Sequence, residues 1–387
     1  MASNPSFSEV LGHFAVDLYD QIIKDQSSHF KNVFWSPMSV HAAIAMVMAG
    51  ASGVTKQEIV KTLHAPDTLS ESQAHELFGS AIMDISQCSK NIHVSMANRL
   101  FLLQPAKILP EYSQTLIKYY NSQTESLVAL GGLEDKRVHM NKWIANETKG
   151  KINDLIPSGA LSGNTILTIL NALYFKGFWE HPFAKHRTEN ATFYLLDGKT
   201  LEVPMMYIKA RLFHFFLADL DANAIRLPFM GAQWAMLIVF TREKSKFPDL
   251  LDHLREPGNL TELMNTEYDQ IEMELYLPKF RLAESKALDV KELLKRCGMT
   301  SAFDSAHADL SRMCTSEKLF VSEVLHKAVL EVDEEGATAA AATGVAVNLR
   351  CAMRTPTFRV EHPFFLALVY KSNVPAFIGH VVAPEQF

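Results

Sequence analysis

Glu334-Glu-Gly-Ala-Thr-Ala-Ala-Ala-Ala-Thr-Gly-Val-Ala-Val-Asn-Leu-Arg350-Cys-Ala-Met-Arg354 is the stretch on which the reading of this chain turns. It opens on two carboxylates and a glycine, continues through small uncharged residues, and turns basic only at Arg350. Local propensity favours an alanine-rich helix or a flexible linker. Alternation with period two gives a different object. One face carries Ala337, Ala339, Ala341, Thr343, Val345 and Val347; the other carries Thr338, Ala340, Ala342, Gly344, Ala346 and Asn348. A strand this small on both faces suits a narrow gap between two existing strands. A charged side chain there would carry a large desolvation cost, and a bulky one would clash with a close-packed interior. Gly336, beside the acidic pair, gives the chain a permissive bend.

Strand signals dominate on both sides of this stretch. Downstream, 364–370 and 376–382 are apolar runs split by the turn-like Lys371-Ser-Asn373. Upstream, Ile271-Glu-Met-Glu-Leu-Tyr-Leu277 alternates and stops at Pro278, as a half-buried strand does. Residues 235–240 form a short continuous apolar run that suits a strand buried on both faces. Helical periodicity is concentrated earlier. Ser6 and Glu9 have capping-box spacing ahead of Phe7, Val10, Leu11, Phe14, Leu18 and Ile22. A second helix is predicted from Ser36-Pro37 to Gly50, a third over 138–155 and a later one over 288–294. Helices early and strands late indicate an α+β protein.

The 387 residues are 48% hydrophobic and 21% charged, which excludes a disordered chain. No linker-like stretch divides them, so a single domain over 1–387 is expected. The net charge of −6, with no basic segment, disfavours a nucleic-acid partner. The longest apolar run, around 42–51, is too short to span a membrane. The first nine residues carry no leader pattern, which predicts a cytoplasmic protein or one released without a signal peptide. Cys88, Cys297, Cys314 and Cys351 show no metal-type spacing, and no cofactor or metal motif is present. Nucleotide-binding, zinc-protease and nucleophile-elbow motifs are also missing, so no catalytic residue and no enzymatic activity are expected.

Several blocks, in order, resemble the serpin family: Asn32-Val-Phe-Trp-Ser-Pro-Met-Ser39, Asn171-Ala-Leu-Tyr-Phe-Lys-Gly-Phe-Trp179-Glu-His-Pro-Phe183, Leu277-Pro-Lys-Phe280, Ser322-Glu-Val-Leu-His-Lys-Ala328 and His362-Pro-Phe-Phe365. The resemblance runs from Phe14 to Pro384, and the Glu-Glu-Gly hinge is similar to that of the ovalbumin-type branch. It implies three β-sheets, about nine α-helices and an exposed reactive-centre loop over roughly 334–358. It also implies a monomer that inhibits a protease by suicide. The protease cuts the loop and forms a covalent acyl complex, and the cut loop then enters the main sheet as a new strand. Serpin loop insertion is itself a standard example of strand addition.

The resemblance also assigns roles. The bait residue of the family lies fourteen positions after the hinge glycine, which from Gly336 is Arg350, with Cys351 on the leaving side. An arginine bait implies a trypsin-like serine protease as partner. Arg354 and Leu349 are competing sites. Cys351 reads as a small residue that fits the cleft, or as a redox-sensitive thiol. Glu334, Glu335, Gly336, Ala337, Thr338, Ala339, Ala340, Ala341, Ala342 and Thr343 correspond to the hinge. Ser36, Ser39, Asn171 and His326 match the polar shutter under the point where the sheet opens, and Trp179, with a Lys279–Glu334 pair, matches its upper end. Ala337 departs from the family's Thr or Ser, and Gly344 would weaken a strand. The alternative is a non-inhibitory serpin that stores, carries or chaperones. Such members carry bulky, charged or proline residues in the hinge, and 337–343 has none.

Overall fold

The computed structural model describes residues 5–26, 30–86, 92–283, 286–335 and 355–386. Nine α-helices occur among them, and two hydrogen-bonded sheet networks of nine and six strands.

The helix Phe7–Lys24 begins as the sequence predicts: the Ser6 hydroxyl accepts from Glu9 N–H while the Glu9 carboxylate accepts from Ser6 N–H at 2.7 Å. In the helix Pro37–Gly50, Ser36 caps the end, Pro37 takes the first turn, where it costs no hydrogen bond, and every residue is buried. The helix predicted over 138–155 runs instead over Leu133–Glu147. Lys149 and Gly150 both take positive φ and end it, yet Ile152, Leu155 and Ile156 stay buried as irregular chain. Asn141 replaces the lost helical partners by accepting from Leu155 and Ile156 N–H at 3.1 and 3.0 Å. The helix predicted over 288–294 is Val290–Arg296, because Leu288–Asp289 is a short strand and Asp289 serves as N-cap.

The six-stranded sheet has the order Phe280–Ala283, Val321–Val332, Leu167–Gly177, Ile92–Leu102, Thr124–Ser126, with Leu288–Asp289 beside Val321–Val332. Its centre is a parallel pair, Val321–Val332 against Leu167–Gly177, with Leu330 opposite Phe175 as the last pairing. Parallel pairs are slightly weaker per residue than antiparallel ones, so this seam is weaker per residue than the antiparallel pairs on either side of it. The nine-stranded network contains the C-terminal hairpin Phe364–Tyr370 and Val374–Val381, packed beside Trp234–Thr241. The resemblance implied three sheets. Two of them share the 18-residue strand Thr200–Leu217, which pairs with Glu189–Tyr194 at one end, Ala222–Pro228 at the other and Asp269–Pro278 between. Long strands that pass from one sheet into the next join them into one network. No helix among the described residues is long and apolar enough to cross a membrane.

Candidate functional site

The seam carries the residues that the sequence singled out. Register sets His326 opposite Asn171 across the parallel pair, and Asn171 opposite Asn98 on the next strand. One row of polar side chains therefore spans three strands. The helix Pro37–Gly50 meets this row from below. His326 Nε2 accepts from Ser36 N–H at 3.0 Å, and Ser36 Oγ donates to Ala376 O at 2.7 Å. Ser39 Oγ donates to Asn98 Oδ1 at 3.1 Å, and Asn171 Nδ2 donates to Ser39 O at 3.0 Å and to Asn98 Oδ1. Because Nε2 is an acceptor, the proton of His326 is on Nδ1, which donates to Asn171 Oδ1. Burial pushes the His326 pKa down to about 3, so the ring is neutral at physiological pH. Every polar atom of this ring is used, which a buried polar group requires.

Asn98 is the member that sequence reading missed. Its signal was a lone asparagine inside the strand Ile92–Leu102, where asparagine is disfavoured. Only the register shows what it pairs with.

The upper end of the seam is closed by side chains and by one backbone bond beyond the parallel ladder. Trp179 Nε1 donates to Asp333 O at 2.7 Å and Trp179 N to Glu335 O at 3.1 Å. The indole stacks on Phe229 with centroids 4.3 Å apart. Gly177 makes this approach possible, since a Cβ there would lie 2.5 Å from the Phe229 ring. The predicted pair is present: Lys279 Nζ donates to Glu334 Oε2 at 2.9 Å, and Thr188 Oγ1 donates to Oε1 at the same distance. Burial raises the Glu334 pKa, but these bonds outweigh it and hold the carboxyl below the ordinary glutamate range. Lys176 adds ion pairs to Asp333 at 2.9 Å and Glu335 at 2.8 Å. Three consecutive carboxylates are thus pinned where the chain leaves the sheet.

Glu335 is the last described residue of this segment. The expected hinge residues Gly336, Ala337, Thr338, Ala339, Ala340, Ala341, Ala342 and Thr343, and the expected bait pair Arg350 and Cys351, lie outside the described residues. The chain is described again from Thr355 and pairs through Thr357–Arg359 with Asp269–Pro278 in the other network. The stretch 336–354 therefore connects the parallel seam of one sheet to a strand of the other.

A family model described as serpin (serine protease inhibitor) matches residues 9–384. Serpin B6 of Pongo abelii is 32% identical over 378 residues, which cover 97% of this chain and 99% of that protein. Leukocyte elastase inhibitor A of Mus musculus is 33% identical over 379 residues, covering 96% and 97%. Uncleaved ovalbumin has a similar fold, with a TM-score of 0.89 over 98% of this chain and 100% of its own, at 24% identity. These findings correct the expectation framed above as a bare absence of enzymatic activity. The matched family and the elastase inhibitor are named for acting on enzymes, and that action, rather than a missing one, classes the chain.

Proposed function

The chain belongs to the serpin family, and from that membership we propose that it is an irreversible suicide-substrate inhibitor of trypsin-like serine proteases. It acts as one serpin domain over residues 1–387, as a monomer without cofactor, in the cytoplasm. The observation that carries the proposal is the direction of the seam. Val321–Val332 and Leu167–Gly177 run parallel, and the chain leaves the first of them directly into the small-residue stretch. A strand that doubles back from Glu335 between these two is antiparallel to both. Insertion therefore replaces one parallel ladder with two antiparallel ones.

In the proposed reaction the protease serine attacks the carbonyl of Arg350. The Arg350–Cys351 amide breaks, an ester to Arg350 forms, and the new amino terminus at Cys351 departs. The freed segment from Gly336 onward then enters the seam, carrying the acylated protease with it. Each added ladder bond contributes about 0.5–1.5 kcal/mol net. Insertion of about a dozen residues thus stabilises the product by on the order of ten kcal/mol before apolar burial is added. The uncut chain persists because the seam opens slowly, not because it is the most stable arrangement. Ser36, Ser39, Asn171 and His326 hold the seam shut in this reading, and Trp179, Lys279 and Glu334 guard the end where insertion starts.

The test is a denaturing, reducing gel after mixing the protein with trypsin. A stable band near the summed mass, lost in Arg350→Ala, supports the proposal. Loop cleavage without such a band counts against trypsin-like inhibition and favours the non-inhibitory alternative.

A further inference from the structure

The face of the six-stranded sheet above the seam is covered by the helix Leu133–Glu147 and the irregular segment that follows it. Beneath this cover lies a core separate from the main one. Its sheet members come almost entirely from one side of the seam: Ala97, Phe101, Leu170, Ala172 and Tyr174. Among the described residues, Val329 is the one buried member supplied by Val321–Val332. Leu325 and Ala283 pack against this core from the far side as partly buried residues, so the cover is bound mainly, not solely, to the Leu167–Gly177 side.

A polar contact ties it across. Lys151, just past the end of the helix, donates from Nζ to Glu331 Oε1 at 2.9 Å and Oε2 at 3.2 Å. Glu331 lies on Val321–Val332, one residue beyond the last backbone pairing of the seam. Tyr174, on the opposite strand, donates its hydroxyl to the same carboxylate at 3.0 Å, and the Lys151 ammonium sits 5.0 Å from the Tyr174 ring centroid. Arg281 approaches Glu331 at 3.8 Å from the neighbouring edge strand, which is on the same side of the seam as Glu331 and moves with it. Burial raises the Glu331 pKa, but the bonds from Lys151 and Tyr174 outweigh it and hold the carboxyl below its ordinary range. The Glu331 side chain is only 10% exposed, so removing one partner leaves a charge that solvent compensates poorly.

We propose that Lys151 and Glu331 form a pin between the helical cover and the far strand of the seam, and that as positioning residues they set the rate at which the seam opens. The functional part of this inference rests on the inhibitor reading above; the structural part does not. In the reaction, a slower opening gives the acyl ester more time to hydrolyse, so the pin also sets the partition between trapped protease and released, cleaved chain. Lys151 makes no contact with the protease in this scheme.

The test begins with the uncut protein. Hydrogen exchange is followed at the amides that pair across the seam in 167–177 and 321–332, with the C-terminal hairpin as internal reference. Lys151→Met is expected to speed seam exchange about threefold to tenfold, the range for losing one charge-assisted bond to a mostly buried carboxylate. Hairpin exchange should not change, and Lys151→Arg should restore the wild-type rate. Glu331→Gln should match Lys151→Met, and the double variant should add little further. Seam exchange unchanged in Lys151→Met and Glu331→Gln overturns the pin, as does an increase spread equally over seam and hairpin. A second measurement mixes each variant with trypsin and follows insertion by fluorescence, where Lys151→Met should insert faster by the same factor. If seam exchange responds but the wild-type protein traps no protease, the pin stands and the inhibitor reading fails.

Discussion

The seam and the C-terminal hairpin are both central pairs of long strands, yet they are built on opposite plans. In the hairpin, Phe364–Tyr370 is buried at every position and runs antiparallel to both Val374–Val381 and Trp234–Thr241. Its stability comes from apolar area, at about 25 cal/mol per Å² buried, and it has no substitute partner in view. The seam is parallel, is crossed at its middle by the polar row Asn98–Asn171–His326, and is closed at its top by lysines and an indole. A join made of directional bonds can be specific and still be replaced by a better one. The difference separates the part of the molecule that must survive any rearrangement from the part that must give way.

The largest expected effect attacks the occupant of the seam. Thr343→Glu places a charge, without adding a trypsin site, on a face that the proposed insertion buries, at a cost of several kcal/mol. The yield of the covalent complex should fall by more than about a hundredfold, while cleavage by trypsin continues. Undiminished complex formation would mean that residue 343 never enters the sheet.

Two core variants of similar cost sharpen the contrast. Leu368→Ala in the hairpin should cost about 2–5 kcal/mol. It should lower the melting temperature of uncut and loop-cleaved protein alike, since the hairpin is common to both. His326→Phe removes both ring nitrogens and leaves Ser36 N–H and Asn171 Oδ1 unpaired, at about 1–3 kcal/mol each. Its loss should be larger in the uncut protein, and warming should convert the chain faster to an inactive form. Equal losses in the two states for both variants would erase the distinction between seam and hairpin.

The sequence made these two regions legible to very different degrees. The hairpin was visible in local signals, two apolar runs around Lys371-Ser-Asn373, and the capping box at Ser6 and Glu9 was equally local. The seam was not. His326 and Asn171 lie far apart in the chain, and they entered the reading through resemblance, not through any property of their neighbours. Asn98 had no such motif to point to it. The end of the helix at Glu147 was overrun because Ile152, Leu155 and Ile156 keep a helix-like apolar spacing while packing on the sheet as irregular chain. Burial preserved the pattern after the backbone had abandoned the helix at Lys149 and Gly150. Likewise the sharing of Thr200–Leu217 between two sheets is a fact of long-range pairing, which composition does not record.

Acid should separate the regions more gently. Burial lowers the pKa of His326 to about 3 and those of His41 and His380 to about 4. Above about pH 6.5 these rings are neutral in folded and unfolded chain, so they make stability independent of pH. Below it only the unfolded chain takes up protons, and stability falls progressively toward about pH 4. At the seam the consequence is specific. A protonated His326 presents an N–H to the N–H of Ser36, where the neutral ring accepts a bond. On these values His380, inside the hairpin, takes up a proton before His326 does, so hairpin amides should exchange faster no later than seam amides on acidification, and His326→Gln should blunt the response of the seam alone. A seam that loosens first would identify His326 rather than His380 as the more acid-sensitive site.

The smallest expected effect tests the top of the seam. Lys279 and Glu334 form a latch there; the Lys279 side chain is 31% exposed and Glu334 only 8%, so the cost of losing Lys279 is limited by the other bond to the carboxylate rather than by water. Glu334 also keeps its bond from Thr188 when Lys279 is replaced. Lys279→Met should thus change the insertion rate by no more than about fivefold, with the effect shrinking in high salt. Lys176 pairs with both Asp333 and Glu335, so Lys176→Met frees two carboxylates at once and should also speed insertion. Were Lys279→Met alone to open the seam as far as His326→Phe, the closure would reside at the top of the seam, and the buried polar row would be reduced to packing.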